Sequence, residues 1–147
     1  MEGYAVLAQS TRSKVVDAIG LLQASLTAYQ PFDPAKNYSP VEREPYDAMC
    51  DRYVRAVEVA IKFFRSYELY LYAEASETLR DLLNRMDKAG VIGSVSVWIE
   101  MRDLRNRVVH DYLPEQLKEL YDLITGRLGQ ELMSLGQKAS ALEFATS

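Results

Sequence analysis

The sequence predicts an all-α fold, an up-and-down bundle of about five helices. Apolar residues recur at spacings of three and four through most of the chain. No alternating apolar–polar run long enough for a strand interrupts them, and no internal repeat is present. The 7 glycines and 5 prolines stand mostly at the ends of the periodic segments rather than inside them. A chain of 147 residues, 48% apolar and 26% charged, has enough material to bury its own core. One domain is expected over residues 1–135, with a loosely held C-terminal tail over 136–147.

Each helix has its own signal. Val15, Ile19, Leu22, Leu26 and Tyr29 form one stripe on a first helix. Pro31, Pro34, Asn37 and Pro40 then exclude a regular element. A second helix is expected from near Glu42, with Tyr46, Met49, Tyr53, Val57, Ile61 and Phe64 on one side, running on through Tyr67 to Tyr72. Glu74 to Lys88 reads as a third, turning Leu79, Leu82, Leu83 and Met86 inward, with Gly90 in the left-handed position after its end. Ser94 or Ser96 caps a fourth, which runs to about Asp111 because Pro114 disfavours helical geometry in the residue before it. Pro114 opens a fifth helix that buries Leu117, Leu120, Tyr121, Ile124, Leu128 and Leu132.

Composition narrows the function classes. The single Cys50 forms no internal disulfide, and in a helical pattern it reads as a buried thiol. The N-terminus does not resemble a signal peptide, and the longest apolar stretch, Val91 to Ile99, is short and interrupted; a cytoplasmic chain with no membrane partner is expected. A net charge of −4 argues against broad nucleic-acid affinity, so any RNA contact has to come from a local basic patch. There is no paired-His spacing, Cys cluster or Gly-rich phosphate loop, so neither a metal nor a cofactor is expected.

The residues that carry chemistry lie together, in Arg105-Asn-Arg-Val-Val-His-Asp-Tyr112, which contains the only histidine of the chain. An Arg five places before a lone His is common by chance. Adding Asn after the Arg and Tyr two after the His brings the pattern to roughly one chance in ten thousand. On an ideal helix Arg105 and His110 are about 140° apart with Asn106 between them, so a phosphate over Asn106 is within reach of both. Val97, Met101, Leu104 and Val108 form the core stripe of this helix. Its other side carries Trp98, Ile99 and Val109 among Arg102, Asn106 and His110, with no further helix expected to cover it. A two-fold dimer through the fourth helix is the economical answer, and it brings two Arg and two His to one cleft. Arg102 and Arg107 read equally as RNA contacts or as a solvated face paired to Glu100 and Asp103. Tyr112 projects toward the core side, but at the break before Pro114 its direction is poorly specified.

This pattern resembles the HEPN superfamily, and within it the HepT-like toxins of two-component nucleotidyltransferase–HEPN toxin–antitoxin systems. The family mark, Arg-x4-6-His extended to Arg-Asn-x3-His-x-Tyr, falls on Arg105, Asn106, His110 and Tyr112. Leu83 to Val91 followed by Met101-Arg-Asp-Leu resembles the approach to the motif, and the likeness covers roughly residues 44 to 130. The resemblance implies a helical homodimer with a metal-independent endoribonuclease site at its interface, acting on tRNA or mRNA. Arg105, Asn106 and His110 would be the catalytic residues, with Arg102 and Arg107 as candidate RNA contacts. A cognate minimal nucleotidyltransferase, the antitoxin, would silence the site by transferring AMP to Tyr112. The alternative is a non-catalytic subunit that holds substrate for a separate nucleotidyltransferase.

Overall fold

The prolines between residues 31 and 40 stop one helix and reverse the chain into the next, and the rest of the bundle is laid on that pair. The computed structural model describes residues 2–110 and 113–144, with the backbone alone for Glu2 and Val109. The described residues contain no strand and six helices: α1 (Glu2–Thr27), α2 (Pro40–Tyr72), α3 (Leu79–Lys88), α4 (Val95–His110), α5 (Pro114–Thr125) and α6 (Arg127–Ala141). None of them is long and apolar enough to cross a membrane.

Helices α1 and α2 run antiparallel. At one end Arg52 of α2 donates to the Leu21 carbonyl, and the Tyr46 hydroxyl donates to the Gln30 carbonyl at 2.8 Å. At the other, Phe144 packs between the Arg12 guanidinium of α1 and the rings of Tyr67 and Tyr70 on α2. The connection between them is itself packed. Phe32 is buried, stacks on Tyr38 at 4.8 Å and meets Tyr46 and Tyr121 edge-on. Helix α2 starts two residues before the expected Glu42, because Ser39 and Glu42 form a reciprocal cap: the Ser39 hydroxyl accepts the Glu42 N–H, and the Glu42 carboxylate accepts the Ser39 N–H.

Residues 74–78, expected as the start of the third helix, are not helical. Helix α2 ends on Ala73, which takes the left-handed conformation (φ 53°). The Ser76 N–H then goes to the buried Glu68 carboxylate at 2.9 Å, and the Ser76 hydroxyl donates to the same carboxylate. Arg85 of α3 completes the group by pairing with Glu68 at 3.1 Å and with Glu74 at 2.7 Å. Only at Thr78, whose hydroxyl accepts the Asp81 N–H, does α3 begin.

The expected fifth helix is two helices. Its apolar stripe does run from Leu117 to Leu132, but the backbone breaks at Gly126. A Cβ there would stand 2.8 Å from the Asp122 carbonyl, and one at Gly129 would fall 2.2 Å from the Ile124 carbonyl, so the turn needs both glycines. Beyond it α6 runs back along α1, with Gly129 beside Leu26 and Gly136 beside Ile19. Residues 136–141, expected in a loosely held tail, instead continue α6, where Ala139 is buried.

This additional helix covers Trp98. The indole is fully buried, lies edge-on to Phe64 at 4.9 Å, and donates its N–H to Glu131 of α6 at 3.0 Å. The same Glu131 oxygen accepts the Gly93 N–H at 2.7 Å, which joins α6 to the link before α4. Removing the carboxylate in Glu131→Ala leaves a buried indole N–H without its acceptor and lowers stability by ~1–3 kcal/mol, whereas Glu131→Gln keeps an acceptor oxygen and loses less. Urea unfolding of the two variants checks the order; equal losses would show that the carboxylate oxygen is not the partner that matters. Burial, with a smaller contribution from the Asp47 carboxylate, pushes the Cys50 thiol up to about 12. At pH 8 on the order of one such thiol in ten thousand is ionised. Ellman's reagent should therefore label Cys50 at a negligible rate in native protein and rapidly in urea; labelling of native protein at the rate of free cysteine would contradict the burial.

Candidate functional site on helix α4

Three turns of α4 lead up to the motif, and its register is set from both sides. The Ser94 hydroxyl accepts the Val97 N–H at 3.3 Å at the start of the helix. Trp98, Met101 and Leu104 are buried, and Val97 and Val108 are half-buried against the core. The Tyr53 hydroxyl of α2 donates to the Met101 carbonyl at 2.9 Å, which is also the carbonyl one helical turn before the Arg105 N–H. Burial raises the Tyr53 hydroxyl well above the usual tyrosine value, so it stays a donor there at any ordinary pH. The motif therefore stands on a backbone tied to the longest helix of the bundle.

The inferred second packing face of α4 has to be redrawn. Trp98, its largest member, is covered within the chain by α6 and does not face a second copy. The error follows from reading α5 and α6 as one helix, which left no element to cover the indole. Ile99 remains half-buried. The side chain of Val109 lies outside the described atoms, and so do Asp111 and Tyr112 as whole residues, including the tyrosine expected to receive AMP.

Each arginine of the segment meets a carboxylate. Arg105 reaches across to α2, where its Nη1 pairs with Glu58 at 3.2 Å. Arg102 pairs with its neighbour Asp103 at 3.3 Å, and Arg107 with Glu119 of α5 at 3.4 Å. Glu100, weighed as a partner for these arginines, is taken by Arg127 of α6, which holds its carboxyl below the usual value. Asn106 and His110 are exposed at the end of the helix. Arg105 thus turns toward α2, and its polar partner is Glu58 rather than the motif's own Asn106 or His110. These three pairs are solvent-accessible, with Arg105 35% and Glu58 48% exposed.

Glu58, Glu119 and Glu131 were not singled out from sequence. Glu131 had a signal: a lone acid beside the stripe of Leu128, Leu132 and Leu135, in a chain whose one Trp needs an acceptor. Glu58 and Glu119 had none, since their partners are 47 and 12 residues away. Among the described residues no three His, Cys, Asp or Glu side chains converge as a metal site would require. Compared with known proteins, the chain matches no family model and no curated protein.

Proposed function

We propose that this chain is the toxin of a toxin–antitoxin pair, a metal-independent endoribonuclease of the HEPN class that works as a two-fold dimer. The observation that carries the reading is the Arg105-Asn106-x3-His110-x-Tyr112 pattern, which begins on α4, a helix tied to α2 through its Met101 carbonyl and to α6 through the Trp98 indole while Asn106 and His110 stay exposed. In the proposed reaction the ribose 2′-oxygen attacks the adjacent phosphorus and the bond from phosphorus to the 5′-oxygen breaks. One His110 takes the 2′-hydroxyl proton and the His110 of the second copy protonates the leaving 5′-oxygen. The products are a 2′,3′-cyclic phosphate and a 5′-hydroxyl. Arg105 neutralises the charge that builds on the phosphoryl oxygens, Asn106 orients the phosphate, and Arg102 and Arg107 receive the flanking phosphates. A partner nucleotidyltransferase, the antitoxin, stops the reaction by transferring AMP to Tyr112, which adds negative charge beside the cleft. The setting is the cytoplasm, where both RNA and a nucleotide donor are present.

A second reading, a non-catalytic subunit that holds substrate for a nucleotidyltransferase, is favoured by one observation. Glu58 and Glu119 already occupy Arg105 and Arg107, in a chain of net charge −4.

The test is cleavage of total RNA in EDTA by wild type, Arg105→Ala and His110→Ala. The toxin reading expects wild type to leave 2′,3′-cyclic phosphate ends, with each substitution lowering the rate by about 10²-fold or more. Wild type that is inert, with no AMP on Tyr112 by intact mass, would sink this reading in favour of the second.

A further inference from the structure

Where α1 ends and α2 begins, the two helices and the segment between them line a cleft of about 430 Å³. Small residues line both sides, Ala24 on α1 with Ala28 just past its end, and Ala48 on α2. Tyr29, Tyr38 and Tyr46 supply its aromatic surface beside the polar groups of Lys36, Glu42 and Arg52, and the three rings are held before anything binds. The Tyr46 hydroxyl is held by the Gln30 carbonyl, the Tyr38 hydroxyl accepts the Asp33 N–H at 2.8 Å, and Tyr38 and Tyr46 meet edge-on at 5.5 Å.

One charge in this cleft is unbalanced. Lys36 is taken by Glu42 at 2.8 Å, and the other oxygen of Glu42 caps α2 through the Ser39 N–H. Arg52 has no such partner. Its Nη1 donates to the Leu21 carbonyl at 3.1 Å and to the Ser25 hydroxyl at 3.0 Å, both neutral oxygens. No carboxylate pairs with it among the described residues, and its Nε and Nη2 hydrogens are uncommitted. A guanidinium positioned by neutral groups keeps its full charge and its planar fork for an incoming anion.

We propose that this cleft binds a small aromatic carboxylate, with the ring against the alanines and tyrosines and the carboxylate on Arg52. The volume is at the lower end of small-molecule sites, enough for one or two fused rings. The apolar floor and the single excess positive charge select a monoanion over a phosphate, which asks for more donors and more charge. The site involves α1, α2 and their connection, so it stands independently of any reaction at the end of α4.

Ligand-observed NMR titration of the full chain with 2-naphthoate and with neutral 2-naphthamide tests the assignment. Wild type should bind 2-naphthoate saturably and prefer it to the amide by about tenfold. Arg52→Gln should abolish that preference while leaving the amide unchanged, and Ala24→Phe, which fills the cleft and leaves Arg52 in place, should weaken both. Absence of saturable naphthoate binding to wild type, or a preference that survives Arg52→Gln, overturns the proposal. If Arg52→Gln fails to fold because α1 loses its tie to α2, unchanged naphthoate binding by Ala24→Phe overturns it instead.

Discussion

A fully buried indole N–H has to find an acceptor, and much of the bundle is arranged around the one that Trp98 finds. Glu131 reaches it from α6 and with the same oxygen holds the Gly93 N–H. For that to happen the chain has to turn sharply after α5, which the two glycines at 126 and 129 permit, and α6 has to run back along α1. Phe64 closes the indole from the α2 side. One side chain therefore connects α2, α4 and α6 and the link that precedes α4. The motif at the far end of α4 inherits its position from that junction and from the hydroxyl of Tyr53.

Helix content and most helix limits were legible in the sequence because they are local. The proline run, the left-handed Gly90 after the third helix (φ 75°) and the α2 stripe each act within a few residues. What escaped was set by distant partners. The Glu68 carboxylate draws residues 74–78 out of the third helix, and nothing near Glu74 announces it. The α5–α6 turn hid inside an apolar stripe that keeps its phase across Gly126, so periodicity read one helix where there are two. That single omission also produced the argument for a packing face through Trp98. The Arg-Asn-x3-His-x-Tyr pattern was legible, but the carboxylates that meet Arg105 and Arg107 come from α2 and α5 and have no sequence signature.

Those carboxylates bear on how the end of α4 meets an anion. Exposed ion pairs of this kind contribute about 0–1 kcal/mol, because water solvates the separated charges nearly as well. Glu58 and Glu119 therefore hold the guanidinium groups in defined places at little cost to exchange. An anion that offers paired oxygens in the geometry of a carboxylate exchanges with them at a cost no larger than that. The pairs also blunt the positive field of three clustered arginines in a chain whose overall charge is negative.

The group around Glu68 acts on direction more than on strength. A carboxylate withdrawn from water and matched by Arg85 and by Ser76 roughly recovers in attraction what it loses in hydration. Apolar contacts alone let one helix rock against another over a range of angles, since many interdigitations are nearly equal in energy. A charge with three donors at fixed places tolerates few such arrangements. The azimuth at which α3 leaves α2 is thereby indexed, like a keyed joint, and the heading of the chain into α4 is indexed with it.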